Sequence, residues 1–187
     1  MTLIENLLAF NKQFVESKQY EQYKTDKFPD KRMVILTCMD TRLVELLPKA
    51  LNLKNGDAKI IKSAGAIVSH PFGGVMRSIL IAVYELNAKE VLVIGHHDCG
   101  MTGMNAETII EKARQRGIAA ETVNTVKHSG IDLERWLEGF NHVEEGVIQS
   151  VNIIKNHPLL PQNVPVHGLI IHPETGALDW IVNGYKP

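Results

Sequence analysis

Short apolar runs alternate with stretches of helical period along most of the chain. Met33 to Thr37, Ala58 to Lys62, Val91 to Ile94 and Val166 to Ile171 are runs of strand length rich in β-branched residues. Between them, Leu43 to Leu47 predicts a short helix stopped near Pro48. A second helix over 75–87 is entered through Gly73-Gly74, and Val143, Val147, Ile148, Val151 and Ile154 mark a longer one ending before Pro158. Further helices are expected at Asn105 to Arg116, Ala119 to Lys127 and Ile131 to Phe140. Pro173-Glu174-Thr175-Gly176 turns the chain into a last strand, Ala177 to Val182. At the start, Leu3, Leu7, Phe10, Phe14 and Val15 fall near one face of an amphipathic helix, or pair of helices, within residues 2–24. Periodicity does not say what that face covers.

This order predicts an α/β fold: a central, mostly parallel β-sheet flanked by helices, with an N-terminal helical arm and a C-terminal antiparallel hairpin strand. A length of 187 residues suits one domain, 1–187, whose residues 1–28 form the arm. In open sheets of this kind ligands bind beyond the carboxyl ends of the strands.

Those strand ends carry the candidate chemistry. Cys38 follows the first strand, with Asp40 and Arg42 at alternate positions after it. The third ends in Gly95-His96-His97-Asp98-Cys99-Gly100. Zinc takes cysteine thiolate and histidine nitrogen in tetrahedral geometry, and three protein ligands with a free fourth position describe a catalytic site. With only two cysteines, the chain points to Cys38, His96 and Cys99 around one Zn2+. Gly100 is expected to give the turn its tight backbone. Adjacent side chains of an extended chain point to opposite sides, so His97 should not share the ion. The same alternation puts Asp40 and Arg42 on the side of Cys38, where the guanidinium would clasp the carboxylate. Plainer readings exist: a cysteine ending an apolar strand is often packing, and an Asp/Arg pair is often a helix-start ion pair.

Composition and charge narrow the setting. The chain is 44% hydrophobic and 22% charged, with a formal charge of -1 and scattered lysines and arginines, which disfavours nucleic acid and anionic membranes as partners. No uncharged apolar run approaches the ~18 residues of a membrane span. The N-terminus lacks the basic start of a signal peptide. A cytoplasmic location is expected, where the two cysteines stay reduced and available to a metal.

Cys38-x-Asp40-x-Arg42, Ala64-Gly65, Gly95-His96-x-Asp98-Cys99-Gly100-Met101 and the His167-Gly168…Pro173-Glu174-Thr175-Gly176 ending together resemble the β-class carbonic anhydrases, in the wording of their prokaryotic Cab-type branch. The resemblance implies reversible hydration of carbon dioxide to bicarbonate and a proton by a zinc-bound hydroxide, with one zinc per subunit. It implies Cys38, His96 and Cys99 as ligands and Asp40 with Arg42 as the catalytic dyad, Asp40 becoming a fourth ligand in a closed state. It also implies a homodimer or dimer of dimers in which the arm wraps the partner subunit. Where many members carry Asn, this chain has Ala66. Ala64, Gly65, Ile67, Val68 and Gly100 are the candidate substrate pocket. An apolar pocket also suits carbon disulfide or carbonyl sulfide, which relatives with this fold hydrolyse. The remaining alternative is a non-catalytic zinc or redox protein in which Cys38 and Cys99 pair.

Overall fold

The computed structural model describes residues 1–186. Its five strands are β1 (Met33–Cys38), β2 (Ala58–Ser63), β3 (Glu90–His96), β4 (Val166–Ile171) and β5 (Leu178–Val182). They form one sheet in the order β2-β1-β3-β4-β5, parallel except for the antiparallel β4–β5 pair. The central strands are buried on both faces, as near-continuous apolar runs require. β1 is buried from Val34 to Cys38, whereas the edge strand β2 alternates and leaves Ile60 exposed.

The helices are α1 (Leu3–Glu16), α2 (Leu43–Ala50), α3 (Gly74–Tyr84), α4 (Ala106–Gln115), α5 (Ala120–Lys127), α6 (Leu133–Leu137) and α7 (Val143–Lys155). α7 lies against β3 and β4 at close range because both strands place glycine beneath it. A Cβ on Gly95 would come within 2.8 Å of Val147, and one on Gly168 would meet the same side chain at 2.8 Å. Three expectations shift. α2 continues through Pro48 to Ala50; proline lacks one backbone N–H, and the bond from Leu51 N to Leu47 O, 3.1 Å, carries the last turn. The N-terminal helical stretch ends at Glu16, and a separate 3-10 turn spans Gln19–Tyr23. α6 is only five residues long, which frees Phe140 for another task.

The chain leaves β1 towards β2 on one side, while β3 leads through α7 to β4 on the other. The C-terminal ends of the adjacent strands β1 and β3 therefore flank a topological switch point, where an open parallel sheet opens a crevice. Cys38 and His96 are the last residues of those two strands.

Two parts stand off the sheet. α4 to α6 form a cap with its own small core of Ala106, Ile110 and Val123. α1 has no buried residue, and Leu3, Ile4, Leu7, Leu8, Phe10 and Val15 are each more than half exposed. A capping box between Thr2 and Glu5 still fixes where this helix starts. Among the described residues no helix is long and apolar enough to cross a membrane.

Candidate metal centre

Cys38, His96 and Cys99 converge at the switch point, with their ligand atoms within 4.8 Å of one another and all three side chains buried. The two sulfurs are 4.0 Å apart. His96 Nδ1 lies 2.7 Å from the His97 carbonyl oxygen, to which it donates, so Nε2 is left with a bare lone pair. That Nε2 is fully buried and has no hydrogen-bond partner among the described residues. A buried acceptor without a donor is costly in a folded protein. Two thiols and an imidazole nitrogen facing one point are the donor set that zinc accepts, so the residues present fit that ion.

The protonation tendencies of the three groups depend on one another. The Cys38 thiol is pulled down, first by a hydrogen bond from Cys99 and then, against burial, by His96 and by backbone hydrogen bonds from Asp40 and Gly65. Cys99 is pushed up by its hydrogen bond with Cys38 and by burial. Burial pushes His96 down, but the neighbouring Cys38 sulfur, the His97 carbonyl and the charge of Asp40 outweigh it, and the net shift is upward.

Asp40 sits beside this cluster, its Oδ2 3.7 Å from His96 Nε2. The alternation expected for residues 38–42 is not what joins it to Arg42. Arg42 has helical angles (φ -62, ψ -25), and its backbone N donates to Asp40 Oδ1 at 2.8 Å in a turn that starts α2. The side chain then folds back, Nε reaching Oδ1 at 3.1 Å and Nη2 reaching Oδ2 at 2.9 Å. The helix-start pair and the clasp are one structure. The guanidinium holds the Asp40 carboxyl down to about 2, so it is an ionised acceptor at neutral pH.

Asp98 is a part of the site that sequence reasoning missed. Its Oδ2 accepts from Arg42 Nη1 at 2.9 Å and its carbonyl from Nη2 at 3.1 Å. Arg42 is thereby fixed between two acids, one on each strand exit. Asp98 also supplies the left-handed residue of the turn, at φ +54, a conformation that Asp tolerates better than most side chains. Gly100 does not: it is exposed, has no positive φ and would accept a Cβ in open space. Asp98 lies within the Gly-His-x-Asp-Cys-Gly motif, but nothing in its spacing distinguishes a guanidinium partner from a surface acid.

The expected pocket residues divide. Gly65 and Ile67 lie beside the cluster, packed with Met101 and Phe140. Val68 belongs to the core centred on α3 and α7, with its backbone N donating to Ser150 Oγ at 3.2 Å, and is not brought to the ligands. Its side chain follows the turn Ala64–Ala66 to that side of the sheet. Ala64 is exposed. Ala66 has φ +57, a left-handed position at which Asn is less strained than Ala. His97 points away, its Nε2 3.4 Å from Asp179 Oδ2.

A carbonic anhydrase family profile matches residues 33–178, which include every residue of this centre. The crystal structure of β-carbonic anhydrase isoform I from Trichomonas vaginalis superimposes with a TM-score of 0.90 at 35% identity, over 99% of this chain and 100% of that one. The chain belongs to the β-class carbonic anhydrase family. Within that family it is 62% identical over 186 residues to the carbonic anhydrase candidate YvdA of Bacillus subtilis, covering 100% of this chain and 94% of that protein. A carbon disulfide hydrolase of Saccharolobus solfataricus is a more distant β-carbonic anhydrase relative, 28% identical over 179 residues, 87% of this chain and 85% of the hydrolase.

Proposed function

We propose that the protein is a zinc lyase that reversibly hydrates carbon dioxide to bicarbonate and a proton, with one zinc held by Cys38, His96 and Cys99. The observation that carries this reading is the buried, unpartnered His96 Nε2 facing two sulfurs, with an ionised carboxylate at its side. Zinc bound there would bring the pKa of water to about 7 and so supply a hydroxide nucleophile at neutral pH.

The chain's own residues do the rest. Asp40, ionised and with no proton to give, accepts a hydrogen bond from the nucleophile and so orients its lone pair towards carbon. Arg42 keeps Asp40 in that state by taking both carboxylate oxygens; without that clasp Asp40 would be free to act as a further ligand to the zinc. Asp98 fixes Arg42 in turn. Ile67, Met101 and Phe140 give an uncharged substrate apolar surface beside the sulfurs.

The exposed apolar face of α1 supports a dimer, or dimer of dimers, in which this arm packs on a second subunit. Both cysteines are free thiols, which suits a reducing, cytoplasmic setting. The same apolar lining supports a second reading, hydrolysis of carbon disulfide or carbonyl sulfide. Stopped-flow assay of zinc-loaded protein between about pH 7 and 9, where such water ionises, tests the first. Hydration above the buffer rate is expected; a rate equal to buffer across that range rejects it.

A further inference from the structure

Carbon dioxide and carbon disulfide are both linear, uncharged and weak hydrogen-bond acceptors, so a site tells them apart chiefly by the room its apolar lining leaves. The sulfur compound is the longer and wider of the two. The apolar side chains packed around the two cysteines belong to one core cluster, and Phe140, Ile67 and Met101 are among its members. Ile67 and Met101 are partly buried and Met is adaptable, whereas Phe140 is 8% exposed and large.

Phe140 is also held in place from every direction. Its ring lies against two glycines whose faces admit no side chain. A Cβ on Gly65 would come within 3.0 Å of Phe140 Cε1, and one on Gly146 within 2.9 Å of the same atom, with closer contact to Cδ1. Gly65 is itself left-handed at φ +67 and lies two residues beyond Ser63, the residue that pairs with Cys38 at the ends of β2 and β1. The backbone of Phe140 is pinned where the cap joins the body. Phe140 N donates to Met101 O at 3.3 Å, Gly103 N to Phe140 O at 2.9 Å and Gly139 N to Met104 O at 2.9 Å. Thr102 pairs with Phe140 in an isolated bridge, and its N bonds the carbonyl of Cys99 at 3.0 Å. The cap formed by residues 103–139 therefore begins and ends at one neck beside Cys99, and that neck holds a rigid aromatic ring in the apolar cluster that includes both cysteines.

We propose that the Phe140 ring sets the size limit of the substrate, admitting carbon dioxide and restricting carbon disulfide. This rests on the reading of the centre as a zinc hydratase. Phe140 selects by shape and takes no part in proton or bond transfer. Hydrolysis of the larger compound would consume two waters for each carbon disulfide and give one carbon dioxide and two molecules of hydrogen sulfide. Water is the only co-reactant, both carbon–sulfur double bonds are exchanged for carbon–oxygen ones without a change of oxidation state, and the reaction can be followed by sulfide release.

The test compares zinc-loaded wild-type protein with Phe140→Leu and Phe140→Ala. It measures kcat/KM for carbon dioxide by stopped flow, for carbon disulfide by sulfide release, and zinc content by metal analysis. One methylene of pocket volume changes discrimination by about tenfold or more, and Phe140→Leu removes three side-chain carbons, so the ratio of carbon disulfide to carbon dioxide kcat/KM should rise at least about tenfold in Phe140→Leu, and further in Phe140→Ala. Should Phe140→Ala fail to fold, the milder Phe140→Leu decides. An unchanged ratio in Phe140→Leu that retains one zinc per chain overturns the proposal. Loss of zinc from Phe140→Leu also overturns it, because the ring would then serve the ligands and not substrate choice. A zinc-loaded wild type that hydrates no carbon dioxide overturns the underlying reading, and the assignment of Phe140 with it.

Discussion

Replacing Cys99 by serine is expected to empty the centre, with zinc falling well below one per chain and carbon dioxide hydration dropping to the buffer rate. The physical reason is the donor count. Only Cys38, His96 and Cys99 bring ligand atoms within 4.8 Å of one another, and no other such group of His, Cys, Asp or Glu occurs among the described residues. A hydroxyl is a poor substitute for a thiolate at zinc. Fully coordinated zinc sites are worth about 10–16 kcal/mol near neutral pH, so loss of one of three protein donors lowers affinity by several powers of ten at ~1.4 kcal/mol each. The fold should survive, because Cys99 lies in a loop after β3 and the sheet hydrogen bonds are untouched. Metal analysis beside far-UV circular dichroism reads both. A folded Cys99→Ser protein that keeps its zinc contradicts the assignment.

The second large effect is expected at Asp40, and it has the opposite signature. Asp40→Ala should retain one zinc and lose roughly 10²–10³-fold in kcat, the range lost when one preorganised hydrogen-bonding group is removed from a site. Arg42 would keep its bond to Asp98 and so stay near the site without a carboxylate to hold. Zinc retained with hydration lost separates the enzyme from a metal-binding or redox protein, for which Asp40 would be dispensable. Hydration within a fewfold of wild type in Asp40→Ala would remove the carboxylate from the mechanism.

The centre was legible from the sequence where chemistry and chain direction coincide. Cys38 and His96 each close an apolar run, and parallel strands deliver their carboxyl ends to one edge of the sheet, so two separated segments could be assigned to one site. Sequence alternation explains the pairing of Asp40 and Arg42 only in part, since it predicts a shared side but not their contact. They meet through the turn that starts α2, not through strand alternation. Asp98 and Phe140 were not legible. Asp98 reaches Arg42 because its turn meets the exit of β1, and the neck of the cap folds Phe140 onto Gly65 and Gly146. Both are contacts between segments distant in sequence, which local periodicity does not encode. Phe140 was masked further by a helical pattern that runs past the end of α6. Val68 was misplaced for a related reason: the left-handed residues Gly65 and Ala66 rotate the chain, and Val68 then packs towards α7.

The zinc K-edge X-ray absorption spectrum of zinc-loaded protein, recorded for wild type and Asp40→Ala, examines the donor set itself. Two sulfur atoms at about 2.3 Å and two lighter atoms at about 2.0–2.2 Å are expected, with the same first shell in both proteins if the fourth atom comes from water and not from Asp40. A shell with fewer than two sulfurs, or one that changes when Asp40 is removed, would contradict a centre of three protein ligands with an open fourth position.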